Sequence, residues 1–134
     1  MAGITDLDIL VRSMSPQLVD GEFVFCTFAD ASYGDYAGLN PIASMRETEG
    51  LTLVVPRERA AVEGLPCDNL FRCISLQVHS SLDAVGLTAA FSAKLTEQGI
   101  SANVIAGFYH DHLFVQHDQA ERALAAIREL AHQR

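Results

Sequence analysis

The stretch Asn69–Val115 reads NLFRCISLQVHSSLDAVGLTAAFSAKLTEQGISANVIAGFYHDHLFV and is the most informative part of the chain. Residues 70–79 alternate between apolar and polar side chains, which predicts a half-buried strand. Over residues 82–98 the apolar side chains recur at helical spacing. Gly99 predicts the end of that helix, because glycine accepts a left-handed conformation. A small-residue loop with the polar and glycine content of a ligand site therefore joins a strand to a helix.

Two strands and a helix are predicted to follow. Residues 100–109 and 113–116 are apolar and strand-like, and His110-Asp111 between them predicts a tight reversal. Asp118 is a candidate cap for a final helix, with Glu121 three residues later as its capping-box partner. The C-terminal half thus predicts the order strand, helix, strand, strand, helix.

The N-terminal half predicts similar elements with less regular spacing. Three strands are expected at 8–13, 22–28 and 51–55, and two short helices at 42–48 and 57–63. The segment FVFCTF parallels FRCISL, and MRETEGLTLVV parallels KLTEQGISANV, although the first copy lacks a clear hairpin. This diverged repeat predicts two domains, 1–64 and 65–134, that share one continuous sheet or core.

Composition narrows the functional classes. Hydrophobic residues make up 49% of the 134-residue chain and charged residues 19%, as in ordinary globular proteins. A net charge of −8 repels phosphate backbones, so no nucleic-acid partner is expected. No apolar run has the length of a membrane span, so no membrane association is expected either. The odd set Cys26, Cys67 and Cys73 has no CxxC spacing. It predicts reduced thiols in a cytoplasmic protein.

Residues 70–130 resemble an ACT domain. The resemblance is carried by FRCISLQVHS, SSLDAVGLTAAFSAKL, EQGISANVIAGF and the hairpin YHDHLFV. LVRSMSPQLVDGEFVFCTF and EGLTLVVPRERA look like the companion domain of small bacterial tandem ACT-like proteins. The resemblance implies an α+β fold of two ferredoxin-like βαββαβ units packed together. It also implies a regulatory protein without catalytic activity or cofactor, which binds an amino acid and forms a homodimer.

The loop before the predicted helix is the candidate binding site. Backbone N–H groups at a helix N-terminus can hold a ligand carboxylate, Gly86 permits close approach, and Asp83 could pair with an ammonium group. The alternative is that Ser81 or Asp83 only caps the helix. The predicted ligand-binding residues are His79, Ser80, Ser81, Leu82, Asp83, Val85, Gly86, Leu87, Thr88, Asn103, Val104 and Ile105.

Other functions are less well supported by the sequence. His110, Asp111, His112 and His117 could supply metal ligands, but a strand separates His117 from the turn, so a solvated hairpin is preferred. The loop lacks the arginine of acylphosphatase-like enzymes, and no nucleophile elbow or phosphate-binding loop occurs. Two alternatives remain open. One is an interaction or dimerisation module with an empty ligand site, and the other is a small metal-dependent enzyme. The loop at residues 30–41 could act as a lid over a site, or its Tyr33 and Tyr36 could pack on the companion domain.

Overall fold

A computed structural model describes residues 6–79 and 81–133 and combines helices with an antiparallel sheet. The α-helices are α1 (Leu7–Arg12), α2 (Arg57–Val62), α3 (Leu87–Glu97) and α4 (Ala120–His132). Short 3-10 turns span Ala37–Leu39 and His117–Gln119. The strands are β1 (Pro16–Leu18), β2 (Phe23–Phe28), β3 (Ala43–Glu47), β4 (Gly50–Pro56), β5 (Phe71–Leu76), β6 (Asn103–Ala106) and β7 (Asp111–Gln116). The predicted α+β class is confirmed.

The chain divides into two compact units. The larger unit takes the residues up to 20 together with those from 72 onward, and the smaller unit takes 21–71. These units are defined by contacts in space, whereas the predicted domains 1–64 and 65–134 are continuous segments of sequence. Residues 6–20 therefore belong to the same compact unit as the described residues from 72 onward.

The larger unit has a ferredoxin-like arrangement whose closing strand comes from the start of the chain. Strand β5 neighbours β7, which pairs antiparallel with β6. Strand β1 also pairs antiparallel with β5, with Pro16 opposite Leu76. In a βαββαβ unit this strand would follow the second helix, but here it precedes all the other strands. The core contains Leu10, Met14, Ile74, Leu76, Phe91, Leu95, Leu113, Val115 and Ile127.

The strand predicted at 8–13 is wrong, because this segment forms helix α1. The Asp6 carboxylate caps it by accepting a hydrogen bond of 3.0 Å from the N–H of Ile9. Leu10, Val11 and Met14 are fully buried, and their spacing of one, three and four positions fits one face of a helix. The strand prediction was wrong because the segment is too short for its period to be clear without the capping residue.

The smaller unit contains a β-hairpin, although the first copy of the predicted internal repeat shows no clear hairpin in its sequence. Strand β3 pairs antiparallel with β4, from Ala43 opposite Val54 to Glu47 opposite Gly50. The short helix predicted at 42–48 is therefore wrong. Strand β3 is mostly exposed, so it has no buried face to give an alternating pattern, and pairing with β4 decides its conformation. Where the first helix of a ferredoxin-like unit would lie, this unit has only the 3-10 turn at Ala37–Leu39.

We expect Gly50→Ala to destabilise the protein by about 1–3 kcal/mol. An added Cβ would lie 2.8 Å from the carbonyl oxygen of Phe28 and 2.9 Å from the Cα of Ala29. Both are backbone atoms, so no side-chain rotation can relieve the overlap. Urea unfolding measures the loss. Gly38→Ala is the matched control, because its Cβ would meet nothing within 4 Å. Equal stability of the two variants would refute the argument.

The predicted end of α3 is confirmed, but the predicted start of α4 is not. Gly99 has a φ of 72°, and the N–H of Ile100 bonds to the carbonyl of Leu95 at 3.0 Å, so the predicted glycine stop is confirmed. The capping box at Asp118 and Glu121 is wrong. A 3-10 turn precedes α4, its N-cap is Gln119, and within the described residues no side chain caps it.

Candidate functional site

A cavity of about 150 Å³ lies in the larger unit beside the start of α3. The described residues that line it come from the loop before α3, from the first turn of α3, and from the ends of β6 and β7 that adjoin their turn. They are Ser81, Leu82, Ala84, Gly86, Leu87, Thr88, Ala106 and Asp111. The cavity therefore brings together five predicted site residues and three that were not predicted.

The loop folds on itself before the helix begins. The N–H of Ala84 donates to the carbonyl of Ser81 at 3.0 Å, and the N–H of Asp83 donates to the Ser81 hydroxyl at 3.1 Å. Helix α3 starts only at Leu87, not at residue 82. The interpretation of Ser81 or Asp83 as the helix cap is therefore wrong, because both lie before the residue that ends the loop.

Gly86 makes the transition from loop to helix. Its φ is 102°, a left-handed conformation that glycine adopts without steric cost. An added Cβ would lie 3.1 Å from the Cδ2 of Leu7, so the position is also closely packed. Glycine therefore allows the chain to enter α3 next to the cavity.

The N-terminus of α3 has no side-chain cap within the described residues, and its first turn carries no acidic residue. The first helical hydrogen bond runs from the N–H of Ala90 to the carbonyl of Gly86, at 2.9 Å. The N–H groups of Leu87 and Thr88 come before it and have no acceptor within the helix. Both residues line the cavity, so this end of the helix presents partial positive charge to it.

Asp111 supplies a carboxylate to the same cavity. It is the first residue of β7 and pairs with Ala106, the last residue of β6. The turn between them is closed by a 2.9 Å hydrogen bond from the N–H of Gly107 to the carbonyl of His110. Asp111 is only 9% exposed, and this burial raises the pKa of its carboxyl, against the opposing charge of His112.

The other predicted residues lie elsewhere in the larger unit. The ring of His79 lies 5.0 Å from that of Tyr109, and Asp83 and Val85 are exposed. On β6, the Asn103 amide donates to the carbonyl of Phe114 at 3.2 Å. Val104 packs against the core and Ile105 is half-buried. Ser80 lies outside the described residues.

The histidines near the hairpin do not form a ligand set. No group of three histidine, cysteine or acidic side chains among the described residues is placed to hold a metal ion. The Nδ1 atom of His110 lies 3.3 Å from the carbonyl oxygen of Val78 instead. Burial lowers the pKa of His112, and the charge of His110 lowers it further.

Both halves of the chain match family models described as ACT domains. One match covers residues 2–72 and the other residues 71–129. The chain therefore belongs to the ACT domain family and contains a tandem pair, as its sequence predicted. ACT domains are regulatory modules rather than catalytic ones.

Several solved structures are similar to this chain. A Vibrio cholerae protein of unknown function, described as a possible transport protein, is 58% identical. That match covers 90% of this chain and 92% of the other, with a TM-score of 0.83. The aspartokinase alpha and beta subunits match with 13% identity over 87% of this chain and 96% of that one, with a TM-score of 0.62.

An aspartate kinase of Clostridium acetobutylicum is also similar. It is 8% identical over 86% of this chain and 33% of the enzyme, with a TM-score of 0.61. The two kinase matches support the fold alone. A comparison with curated proteins found no match. Among the described helices, none combines the length and apolar character needed to cross a bilayer.

Proposed function

We propose that this tandem ACT protein is a regulatory protein that binds a small amino acid in the cavity beside α3. One observation carries the proposal. The cavity is lined both by the uncapped N-terminus of a helix and by Asp111, a buried acidic residue. An amino acid carries a negative and a positive group on one carbon, so a single ligand can satisfy both features.

The ligand carboxylate is assigned to the start of α3. The N–H groups of Leu87 and Thr88 have no acceptor within the helix, and the helix dipole favours an anion at this end. Thr88 also lines the cavity, and a threonine hydroxyl can donate a further hydrogen bond.

The ligand ammonium group is assigned to Asp111. Burial disfavours the ionised carboxylate, as the raised pKa of Asp111 indicates. A cation bound next to it would offset that cost, and a charge-assisted hydrogen bond is stronger than a neutral one. The ammonium contact is therefore proposed for Asp111 and not for Asp83, the residue that the sequence pattern favours, because Asp83 is exposed.

The size of the cavity favours the smallest amino acids. Its volume of about 150 Å³ is comparable to that of cavities known to hold a benzene molecule. Glycine, alanine, serine and threonine, with about five to eight non-hydrogen atoms, fit this volume better than aromatic amino acids do. The lining residues Ala84 and Ala106 are themselves small, so they leave space for a short ligand side chain.

A thermal-shift screen of the twenty amino acids tests the proposal. Binding to the folded state alone raises the melting temperature, by an amount that grows with ligand concentration. We expect a rise with one or more small amino acids at millimolar concentration, and none with ethylamine or acetate alone, since each offers one charge. If no amino acid stabilises the protein, or if acetate alone does so equally well, the proposal fails.

A further inference from the structure

The smaller unit contains a cavity of its own. It has a volume of about 290 Å³, near the lower end of the range typical of small-molecule sites. Its walls combine an aromatic pair, two leucines, a glycine and one carboxylate. The described lining residues are Phe28, Tyr36, Gly38, Leu39, Glu63 and Leu65. None of them belongs to the cavity beside α3, so this second cavity needs a separate explanation.

One wall is built by the turn that replaces the first helix of this unit. The turn is bracketed by Tyr36 and Asn40, whose φ angles are 63° and 54°. A left-handed backbone conformation is unfavourable for a residue as bulky as tyrosine. The Tyr36 ring stacks on Phe28, with centroids 3.8 Å apart and an angle of 15°. The strained backbone therefore holds an aromatic face at the cavity.

A second part of the cavity lining is the end of α2. Gly64 has a φ of 72°, and the N–H of Leu65 bonds to the carbonyl of Ala60 at 2.9 Å, which closes the helix with a Schellman motif. This reversal places Leu65 and Glu63 together at the cavity. The Arg59 guanidinium, from within α2, donates to the carbonyl of Gly38 at 2.9 Å and so joins the helix to the turn.

The chemistry of these walls selects a ligand class. Leucine side chains and stacked rings favour an apolar, planar group, and an aromatic face also attracts cations. Glu63 adds a negative charge and disfavours a ligand carboxylate. We propose that the smaller unit binds a small aromatic amine, with its ring against Phe28, Leu39 and Leu65 and its ammonium group at Glu63.

Calorimetric titration with phenethylamine tests this assignment. We expect binding of one molecule per chain in the millimolar range or tighter. The charge-inverted analogue 3-phenylpropionate, which has a similar ring and chain, should bind at least about tenfold more weakly. Glu63→Gln should weaken phenethylamine binding about tenfold. Glu63 is exposed, so this change leaves the fold intact.

A second pair of variants locates the site. Tyr36→Gly removes the ring while relieving the positive φ, so the protein should fold and lose most phenethylamine binding. Asp111→Asn, in the other cavity, should leave phenethylamine binding unchanged. The assignment is overturned if phenethylamine does not bind. It is also overturned if both probes bind equally, or if Asp111→Asn rather than Glu63→Gln removes binding. Since the two cavities are probed with different ligands, failure here does not affect the amino-acid proposal.

Discussion

Asp111→Asn should weaken binding of the small amino acid about 10- to 100-fold, without lowering the melting temperature of the unliganded protein. The variant keeps the shape of the side chain and one acceptor oxygen, but it removes the charge that faces the ligand ammonium group. A hydrogen bond to a charged group is worth about 1.5–3 kcal/mol, which corresponds to this loss of affinity. Calorimetric titration with the best ligand of the thermal-shift screen measures it.

The unliganded protein should not lose stability, because the charge of Asp111 is unfavourable when the cavity is empty. Burial raises the pKa of Asp111 in the folded state above its unfolded value. The contribution of Asp111 to the stability of the fold is therefore fully present below the pKa that this residue has in the unfolded chain. That contribution is lost as the pH rises through the pKa of Asp111 in the folded protein. A residue that served only the fold would show the opposite result, a lower melting temperature in the asparagine variant.

The affinity for the ligand should follow the opposite pH trend. The ammonium group binds the ionised carboxylate, so affinity should fall as the pH is lowered through the raised pKa of Asp111. Asp111→Asn should remove this dependence. Asp83→Asn is the matched control, because Asp83 is an exposed neighbour outside the cavity lining. If Asp83→Asn caused a large loss of affinity and Asp111→Asn did not, the ammonium contact would have to be assigned to Asp83 instead.

The parts of the fold that the sequence predicted well are those whose own pattern is strong. The strand predicted at 70–79 is found as β5, the stripe predicted for α3 is buried at Leu87, Phe91 and Leu95, and Gly99 ends that helix as expected. The half-buried character predicted for β5 is wrong, because five of its six residues are buried and they include the polar Ser75. Strand β3 could not be predicted in this way. Its side chains are mostly exposed and its residues favour a helix, so its conformation depends on hydrogen bonds to β4, a partner that its own pattern does not reveal.

The residues of the candidate site fall into the same two groups, those with a local signal in the sequence and those without one. The loop residues Ser81, Leu82, Gly86, Leu87 and Thr88 were found from local signals, because glycine and small polar residues before a helical stripe are visible in the sequence. For Asp111 the sequence pattern favours a solvated turn. Its place in the cavity follows from the pairing of β6 with β7, which sets Asp111 opposite Ala106. Both residues line the same cavity as a loop that lies 25 or more positions earlier in the sequence than Asp111. Such a contact depends on strand register, which local composition does not fix.

Phe91→Ala should give the largest loss of stability, about 3–5 kcal/mol. Phe91 lies on α3, is 0% exposed, and belongs to the core of the larger unit. Alanine would remove most of an aromatic side chain and leave a cavity that close-packed neighbours fill only in part. We expect the melting temperature, followed by circular dichroism, to fall by about 10 °C or more.

Phe108→Ala provides the comparison within the same unit. The residue type and the atoms removed are identical, but Phe108 is 62% exposed at the turn after β6, so we expect a change within about 0.5 kcal/mol. Similar losses in the two variants would contradict the placement of α3 against the core. Because α3 also presents Leu87 and Thr88 to the ligand cavity, the core contact of Phe91 holds the proposed carboxylate site in position. The folded fraction of Phe91→Ala should therefore bind the amino acid more weakly than the Phe108 variant does.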